Sequence, residues 1–540
     1  MASGILGVAL SGLNAAQLGI RTTEHNIANV NTTGYRRQEA TFAATKPAYS
    51  NAGWVGTGTA LASVQQIYSR FLDNEVLRNQ AQLSRHETYG AQATQIDKLL
   101  GDEDSGLATA LDSYFAAVHE VANDPTSNAA RQNLLSAGNN LAGRFNTLDD
   151  KLKSMRANTN ADISAIARQV NVLSGQIANL NVTISRDEAL NGRSANDLRD
   201  QRQQLVSDLN KLVNVSSIEQ SDGTLSLFVG SGQPLVVGAE VYTMSSVSDP
   251  GDSTLKLPAL TLGSSTITLD SSLISGGQLG GILAMREEVL LPALDDLNRI
   301  ATVVATSVNT VHRAGLDYNL NAGLDFFTNP VVAQGATVGV LNMTVTNDLL
   351  LDRVGYNISL TAGGYDVTVL STGTTTTYAS LAALNAAGLG FTLAAGTPAP
   401  STGESWVIGD YAGQMAMELT ATSQVAAAGS TATGPGDNSN MLTLADLRNG
   451  DLLNNGTVNF SEAYQETVAS TASKASEADL NTQAFSTLVE QATASQQEVS
   501  GVNLDEEAVN LIRFQQAYQA AARAMQIASS LFDEVLNAVR

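Results

Sequence analysis

The chain has 540 residues, which is long enough for three or four domains and a sizeable hydrophobic core. Its formal net charge of -23 leaves no basic surface for phosphates, which argues against nucleic acid and anionic membranes as partners. It contains no cysteine, which excludes disulfides and thiolate metal sites and suits a protein that crosses redox compartments unfolded.

The first segment of the chain carries an apolar residue at every seventh position. The pattern predicts a helix from about Ser3 to Ala28 that packs along another helix, as heptad repeats do. Four glycines in this helix each cost about 1 kcal/mol of helix stability, and they leave a smooth surface for close approach. We therefore expect the helix to order mainly on assembly. The positions assigned to its assembly interface are Leu6, Leu13, Ile20 and Ile27.

The same segment lacks the features of a signal peptide and of a membrane span. Its first basic residue is Arg21, so it has no charged leading region, and Ser11, Asn14 and Gln17 interrupt its apolar residues. Membrane insertion is therefore not expected. If the protein leaves the cell, we expect it to do so without a cleaved signal peptide.

Long amphipathic helices are predicted for the middle of the chain. Apolar residues three or four apart run from Leu148 to Ile184, from Leu198 to Leu212 and from Leu290 to Val311. Stripes of this length predict several long antiparallel helices in a rod-like bundle. A break at Asn191-Gly192 separates the first stripe from the second.

Two β-rich segments interrupt these helices. Within residues 214–275, Asp222-Gly223 lies between alternating apolar residues. Within residues 330–430, Gly363-Gly364 also lies between alternating apolar residues. Both dipeptides are hairpin signals. We therefore predict an α+β multidomain fold in which the N- and C-terminal parts form a long, coiled-coil-like helical bundle that carries two β-rich inserted domains.

The chain returns to helix from about Asp446 and ends in a second heptad stripe. Asn503 is the expected N-cap of the last helix, with Glu506 three residues on. Residues 1–45 carry a net charge of +1, and residues 500–540 carry a net charge of -2. Because the ends are nearly neutral they can pack closely together, while the acidic middle stays solvated. The positions assigned to the interface of this helix are Leu504, Leu511, Phe514, Tyr518, Met525, Phe532 and Val535.

Four domains follow from these patterns. A terminal helical assembly domain comprises 1–60 and 495–540, and a helical bundle domain comprises 61–213, 276–329 and 431–494. Residues 214–275 form one β-rich insert, and residues 330–430 form an outer one with a polar surface rich in threonine and glycine.

The sequence contains no pattern typical of an active site. Its four histidines are far apart, and it has no nucleotide-binding glycine loop and no nucleophile elbow. Carboxylate pairs such as Asp149-Asp150 and Asp295-Asp296 are interpreted as solvated helix faces. We therefore expect neither enzymatic activity nor a cofactor. Amphipathic ends around an acidic middle suit a subunit whose ends line up inside a tube.

The turn after the first helix carries a family motif. It reads Ala28-Asn29-Val30-Asn31-Thr32-Thr33-Gly34-Tyr35 and resembles the N-terminal motif of bacterial flagellar rod, hook and hook-associated proteins. Within that group, SGGQLGGIL at 275–283, GDNSN at 436–440 and the ending from 502 to 536 resemble the hook-associated protein 1 family. The resemblance covers about residues 1–320 and 435–540. The motif positions are Ala28, Asn29, Asn31, Thr32, Gly34 and Tyr35.

This resemblance implies a structural subunit that joins the flagellar hook to the filament. It implies export, unfolded, through the flagellar type III apparatus and a location outside the cell, at the hook–filament junction. The implied partners are other copies of the chain, the hook protein, hook-associated protein 3 and a cytoplasmic export chaperone. The chaperone is expected on the C-terminal stripe, which later packs in the tube.

Three alternatives remain. One is another axial component of hook or rod type, which the long heptad helices and the 276–283 motif argue against. A second is a secreted enzyme with its activity in residues 330–430, a segment that has no histidine and only scattered acids. A third is a surface adhesin that binds through the threonine-rich insert.

Overall fold

A computed structural model describes residues 2–50, 53–102, 106–334, 339–431 and 433–539. Helices dominate these ranges, and a single π-helical turn over Arg286–Leu290 joins α6 to α7. The helices are α1 Ala2–Ala28, α2 Arg70–Leu100, α3 Leu107–Asn123, α4 Asn128–Asn191, α5 Asn196–Leu212, α6 Gly277–Met285, α7 Leu291–Ala314, α8 Leu381–Asn385, α9 Ser439–Asp446, α10 Phe460–Ser500 and α11 Leu504–Val539.

The strands fall into three groups along the chain. The first group, between α1 and α2, is β1 Gln38–Ala44, β2 Ala48–Ser50, β3 Gly53–Val55 and β4 Thr59–Gln66. The second is β5 Val215–Glu219, β6 Leu225–Val229, β7 Gln233–Val237, β8 Glu240–Val241, β9 Thr243–Ser248, β10 Lys256–Leu262 and β11 Ser265–Thr268. The third is β12 Val331–Ala333, β13 Leu341–Val345, β14 Tyr356–Thr361, β15 Gly364–Val369, β16 Thr374–Tyr378, β17 Phe391–Ala395 and β18 Ser405–Ile408.

The two ends of the chain pack together as antiparallel helices. Gly12 of α1 lies against Ala521 of α11, and Gly19 lies against Phe514. Each step of seven residues forward on α1 is a step of seven residues back on α11, so the two heptad repeats share one register. Strand β4 pairs with β1 and lies on α1. We call α1, β1–β4 and α11 the terminal unit.

The helical body is built around long helices with a common core. Helix α4 is 64 residues long and ends where Gly192 adopts the left-handed backbone conformation, φ 60°. Ser127 caps its start by accepting a hydrogen bond from the Ala130 N–H. The stripe predicted from Leu148 to Ile184 lies within this helix, and its members are largely buried. The long-helix prediction is therefore confirmed here.

The body also buries a carboxylate that the sequence analysis interpreted as solvated. Asp149 is fully buried, and its Oδ2 lies 2.6 Å from Lys153 Nζ one turn further along α4. Gly413 covers it so closely that an added Cβ would lie 2.2 Å from Oδ2. The solvated-face interpretation is therefore wrong for Asp149, because a segment far away in sequence packs over this part of α4.

The first β-rich segment does not have a core of its own. Its strands form sheets of order β5-β6-β7-β8 and β11-β10-β9, and the predicted hairpin at Asp222-Gly223 joins β5 to β6. Leu227 and Leu260 share one buried cluster with Ile163 of α4 and Val206 of α5. These sheets therefore cover the helices rather than fold apart from them.

The second β-rich segment has a separate core. Its main sheet has the order β12-β18-β14-β15-β16, with Trp406 fully buried at its centre, and the predicted turn at Gly363-Gly364 joins β14 to β15. The strands end at Ile408, and the following residues, such as Tyr411 and Val425, pack into the helical body.

The structure suggests refined domain limits. The limit predicted at residue 60 falls inside β4, and the limit at 495 falls inside α10. We propose a terminal domain of 1–66 and 501–540, because strand pairing ties β4 to β1 and Ser500 ends α10. We likewise propose that the outer insert ends near residue 410 rather than 430.

Candidate assembly surface

Small residues form the seam along which α1 meets α11. Ala9, Ala16, Thr23 and Asn26 are buried on α1, at helical spacings of three and four with Gly12 and Gly19 between them. An added Cβ on Gly19 would lie 2.7 Å from the Phe514 ring, so the helices are close enough here that only glycine fits. The seam thus leaves no room for a side chain at Gly19.

The large apolar residues of α1 lie beside this seam. Leu6 is 37% exposed, while Leu13, Ile20 and Ile27 are half-buried. Their neighbours are also exposed, so α1 presents apolar side chains to solvent over its first three turns. These exposed neighbours are Ile5, Val8 and Leu10.

Helix α11 also has apolar residues that are partly buried and others that are exposed to solvent. Phe514 packs on Gly19 and meets the Phe42 ring edge-on, with the ring centroids 6.1 Å apart. Leu511 and Met525 are also half-buried, whereas Leu504 and Tyr518 are exposed. The predicted positions Phe532 and Val535 lie outside the described side chains. Further exposed apolar residues on α11 are Val509, Ile512, Ile527 and Leu531.

The start of α11 is capped as predicted. Asn503 Oδ1 accepts a hydrogen bond from the Asp505 N–H at 3.0 Å and one from the Glu506 N–H at 3.4 Å. The three acidic residues that follow lie at the positive end of the helix dipole, which stabilises them there.

The family motif forms the turn that leaves α1. Ala28 is the last helical residue, and the Asn29 side chain donates to the His25 carbonyl and accepts from the Thr32 hydroxyl. Gly34 has φ 79°, and an added Cβ there would lie 3.0 Å from Gln204 Oε1. The motif therefore makes a tight turn against α5.

Of the other motif residues, three are exposed to solvent and one is partly buried. Asn31 and Thr32 are exposed, as is Ala28, so their side chains do not enter the core. Tyr35 is half-buried, and its hydroxyl donates to Asn26 Oδ1 at 2.7 Å. Burial, reinforced by nearby carboxylates, raises the pKa of Tyr35, so the hydroxyl keeps the proton that it donates.

A buried polar cluster joins both helices to the chain after the motif. Asn26 accepts from Tyr35 and from the Gln38 N–H, and it donates to the Gln38 carbonyl and to Glu507 Oε2. Glu507 is 2% exposed and also accepts from Arg37 Nε at 2.8 Å. We call Asn26, Tyr35, Arg37, Gln38 and Glu507 the polar node.

One ion pair and two hydrogen bonds link this part of the chain to the helical body. Arg36 donates to Asp73 of α2 at 2.7 Å, and its backbone N–H donates to Asp200 of α5 at 3.3 Å. The Gln38 side chain donates to Asp197. Burial raises the pKa of Asp200 to about 7, and no hydrogen bond to its Oδ1 is present among the described residues. The motif thus connects the terminal unit to the body.

Most of the node could not be predicted from local sequence. Asn26 and Glu507 are 481 residues apart along the chain, and neither belongs to an apolar stripe. The adjacent Arg36-Arg37 pair, unusual in an acidic chain, was the one available signal. It marks the two cations that pair with Asp73 and Glu507.

The described part of the chain has neither a metal-binding cluster nor a membrane-spanning helix. It holds no group of three or more histidine, aspartate or glutamate residues that could bind a metal ion. Within the same ranges, no helix combines the length and apolar character needed to cross a bilayer.

The antiparallel terminal helices, their exposed apolar stripes and the motif turn define an axial assembly subunit. Family models match three segments: "Flagella basal body rod protein" at 6–36, "Flagellar hook-associated protein FlgK helical domain" at 93–327 and "Flagellar basal body rod FlgEFG protein C-terminal" at 494–538. The flagellar hook-associated protein 1 of Escherichia coli K12 is 34% identical over 99% of this chain and all of its own length. The chain therefore belongs to the flagellar hook-associated protein 1 family.

More distant relatives agree with this assignment. Flagellar hook-associated protein 1 of Bacillus subtilis 168 is 26% identical over 98% of this chain and 97% of its own length. A solved structure of the flagellar hook junction protein FlgK from Burkholderia pseudomallei, 23% identical, matches with a TM-score of 0.63 over 79% of this chain and all of that one. The α+β multidomain prediction is confirmed, and family membership assigns a structural role in the flagellum.

Proposed function

We propose that the protein is a structural subunit of the bacterial flagellum that joins the hook to the filament. The observation that carries this proposal is the division of the terminal helices into a seam of small residues and an outward apolar stripe. The seam holds α1 and α11 together within one chain. The stripe, which includes Val8 and Ile512, is exposed to solvent in the described part of the chain, and a neighbouring subunit would bury it.

Burial of the outward stripes by neighbouring subunits would stabilise the assembly. Fully burying one leucine or isoleucine side chain contributes about 1.5–3 kcal/mol, and both helices expose several. The partners proposed for these surfaces are other copies of the chain, the hook protein on one side and hook-associated protein 3 on the other. Residues 46–499, with a net charge of -22, face outward and keep the unassembled subunit soluble.

The route of export belongs to the same proposal. An unfolded chain without cysteine can pass through the flagellar type III apparatus without forming disulfides, and no cleaved signal peptide is then needed. A cytoplasmic chaperone would cover the exposed stripe of α11, around Leu511 and Tyr518, before export. The protein would then act outside the cell as a non-catalytic component.

Deletion of the gene tests the role in the flagellum. The expected result is cells with hooks but no filaments, and with flagellin shed into the medium. A plasmid copy of the wild-type gene should restore filaments. Filaments of normal length on the deleted strain would contradict the proposal.

A paired substitution tests the outward stripe itself. Leu511→Asp together with Tyr518→Asp should leave the body folded, because both lie outside its core, yet should fail to restore filaments. The matched control is Val172→Asp, which also places a carboxylate at an exposed apolar position but on α4. Filaments restored by the α11 variant would contradict the packing role of the stripe.

A further inference from the structure

A basic cleft lies beside the motif, on the side of α2 that faces α5. Its volume is about 340 Å³, and four arginines line it against two carboxylates, Asp73 and Glu219. Glu188 also pairs with one of these arginines, so the arginines outnumber the nearby carboxylates by one in a chain whose net charge is -23. The four arginines of the cleft are Arg36, Arg70, Arg199 and Arg202.

One of these arginines has no ion pair among the described residues. Arg36 pairs with Asp73, Arg70 pairs with Glu219, and Arg199 pairs with both Glu188 and Glu219. Arg202 is 4% exposed, and its NH1 donates to Asn181 Oδ1 and to the Gly223 carbonyl. No carboxylate forms an ion pair with Arg202 among the described residues. Glu188 and Glu219 act on Arg202 from a distance, but a buried guanidinium without a direct ion pair still favours an acidic partner.

Two exposed apolar side chains form the rim of the cleft. Ile218 is 55% exposed and Tyr68 is 37% exposed, with the Arg36 guanidinium 5.1 Å from the centroid of the Tyr68 ring. Aromatic residues and arginine are enriched at the centres of protein interfaces, where they carry most of the binding energy. The cleft and its rim therefore have the composition of a protein-binding surface rather than that of a small-anion site.

The outward face of α10 has the complementary composition. From Ala475 to Ser500 the helix contains four carboxylates and no basic residue. All four carboxylate residues are exposed, as are Leu480 and Leu488. They are Glu477, Asp479, Glu490 and Glu498.

These two surfaces lie on different sides of one helix. Helix α2 packs against α10, as Gly90 contacts Ala478, and it also packs against α5, since Asn210 donates to the Leu77 carbonyl. The acidic face belongs to α10 and the basic cleft opens between α2, α5 and β5, so one chain cannot bring them together. Different surfaces that meet head to tail build rings or helical stacks.

We propose that the basic cleft of one subunit receives the acidic outward face of α10 from a second copy of the chain. Charge complementarity brings the copies together and disfavours other alignments, and the rim residues Tyr68 and Ile218 pack against Leu480 and Leu488. This contact rests on the proposed assembly role and adds to it a specific lateral interface outside the terminal helices.

Cross-linking within assembled flagella tests the contact. The chain has no cysteine, so Ser217→Cys in the cleft and Thr487→Cys on α10, both exposed, would provide the only thiols. Flagella from cells with both substitutions in one chain are treated with a short bis-maleimide and separated on a denaturing gel. A head-to-tail contact should give a ladder of dimers, trimers and larger species, and each single variant should stay monomeric.

The outcomes separate this contact from the junction role. No ladder in flagella that carry normal filaments would overturn the contact and leave the junction role intact. Dimers from Ser217→Cys alone would overturn the head-to-tail arrangement. Absence of filaments in the deletion, restored by wild type, reports on the junction role separately.

Charge reversal gives a second readout. Arg70→Glu and Glu490→Arg should each reduce the number of filaments, and the two together in one chain should restore it in part. Arg186→Glu and Glu240→Arg are exposed controls outside the proposed contact and should have no effect. Full filament numbers with both single variants would contradict the proposal.

Discussion

The helical body and the terminal unit use the same heptad spacing in opposite ways. In the body, Ile163, Val170 and Ile177 of α4 are completely buried by other parts of the same chain. In the terminal unit, large apolar residues such as Leu10 and Val509 stay exposed while alanine and glycine fill the seam. An apolar stripe therefore predicts that a face will be buried, but it does not tell whether the same chain buries it.

The polar content of the two regions differs as well. The core of the body contains an aromatic cluster in which Tyr114, Phe326 and Phe327 pack ring against ring. The terminal unit is held instead by the polar node around Asn26 and Glu507. Hydrogen bonds fix its register, whereas its apolar stripes remain exposed to solvent.

The largest expected difference concerns the core of the body. Phe326→Ala should reduce the free energy of unfolding by about 3–5 kcal/mol, because the ring is fully buried and the cavity cannot close. Val509→Ala, at an exposed position of α11, should change it by less than about 0.5 kcal/mol. Urea unfolding of the monomer, followed by circular dichroism, measures both. Equal losses would remove the distinction between the two regions.

The polar node should give the next largest effect. Glu507→Gln replaces a buried carboxylate acceptor by an amide, whose NH2 group must then face a donor of Arg37 or Asn26. This should destabilise the packing of α1 on α11 by about 1.5–3 kcal/mol. Glu506→Gln, at a largely exposed ion pair with Arg37, should cost less than about 1 kcal/mol. Hydrogen exchange of the α1 amides measures the difference. Similar exchange in the two variants would mean that the node does not hold the helices.

The glycine at the closest approach offers a matched comparison within α1. Gly19→Ala gains about 1 kcal/mol of helix propensity but forces a methyl group into the Phe514 ring, at a cost of about 1–3 kcal/mol. Gly7→Ala meets nothing within 4 Å and should only gain. Protease protection of α1 should therefore fall in the first variant and rise in the second. Gains in both would contradict the tight seam.

The last comparison concerns the pH dependence of the contact between motif and body. The pKa of Asp200 is about 7 in the fold against an ordinary value of 3.8, so the folded state binds more protons between these values. Stability should therefore fall as pH rises from about 4 to about 7, by at most about 1.4 kcal/mol per pH unit. Asp200→Asn should flatten this fall in urea titrations at several pH values. An unchanged slope would contradict the burial of an ionisable carboxyl at the motif.

Local patterns predicted the helices and hairpins well. The start and end of α1, the end of α4 at Gly192 and the turn at Asp222-Gly223 all depend on residues close together in the sequence. Helix α2 has no clear signal in the sequence, because it packs on α10 through small residues such as Gly90 rather than through a strong apolar stripe. Short-range periodicity cannot detect such a contact.

The candidate site was predicted only in part. The apolar positions of α1 and α11 were found from their repeat, but the seam between them consists of the neighbouring small residues. The polar node and the basic cleft bring together residues that are hundreds of positions apart, such as Arg37 and Glu507. Side-chain pairing over that distance follows from the folded backbone, so no local pattern could predict it.

Limited proteolysis of the monomer and of intact flagella tests the central claim most directly. We expect protease to cut α1 and α11 quickly in the dilute monomer and to leave a core from about residue 67 to about residue 500, the limits of the terminal unit. In assembled flagella the same helices should resist, because neighbouring subunits bury their stripes. Terminal helices that resist protease equally well in the dilute monomer would contradict the account.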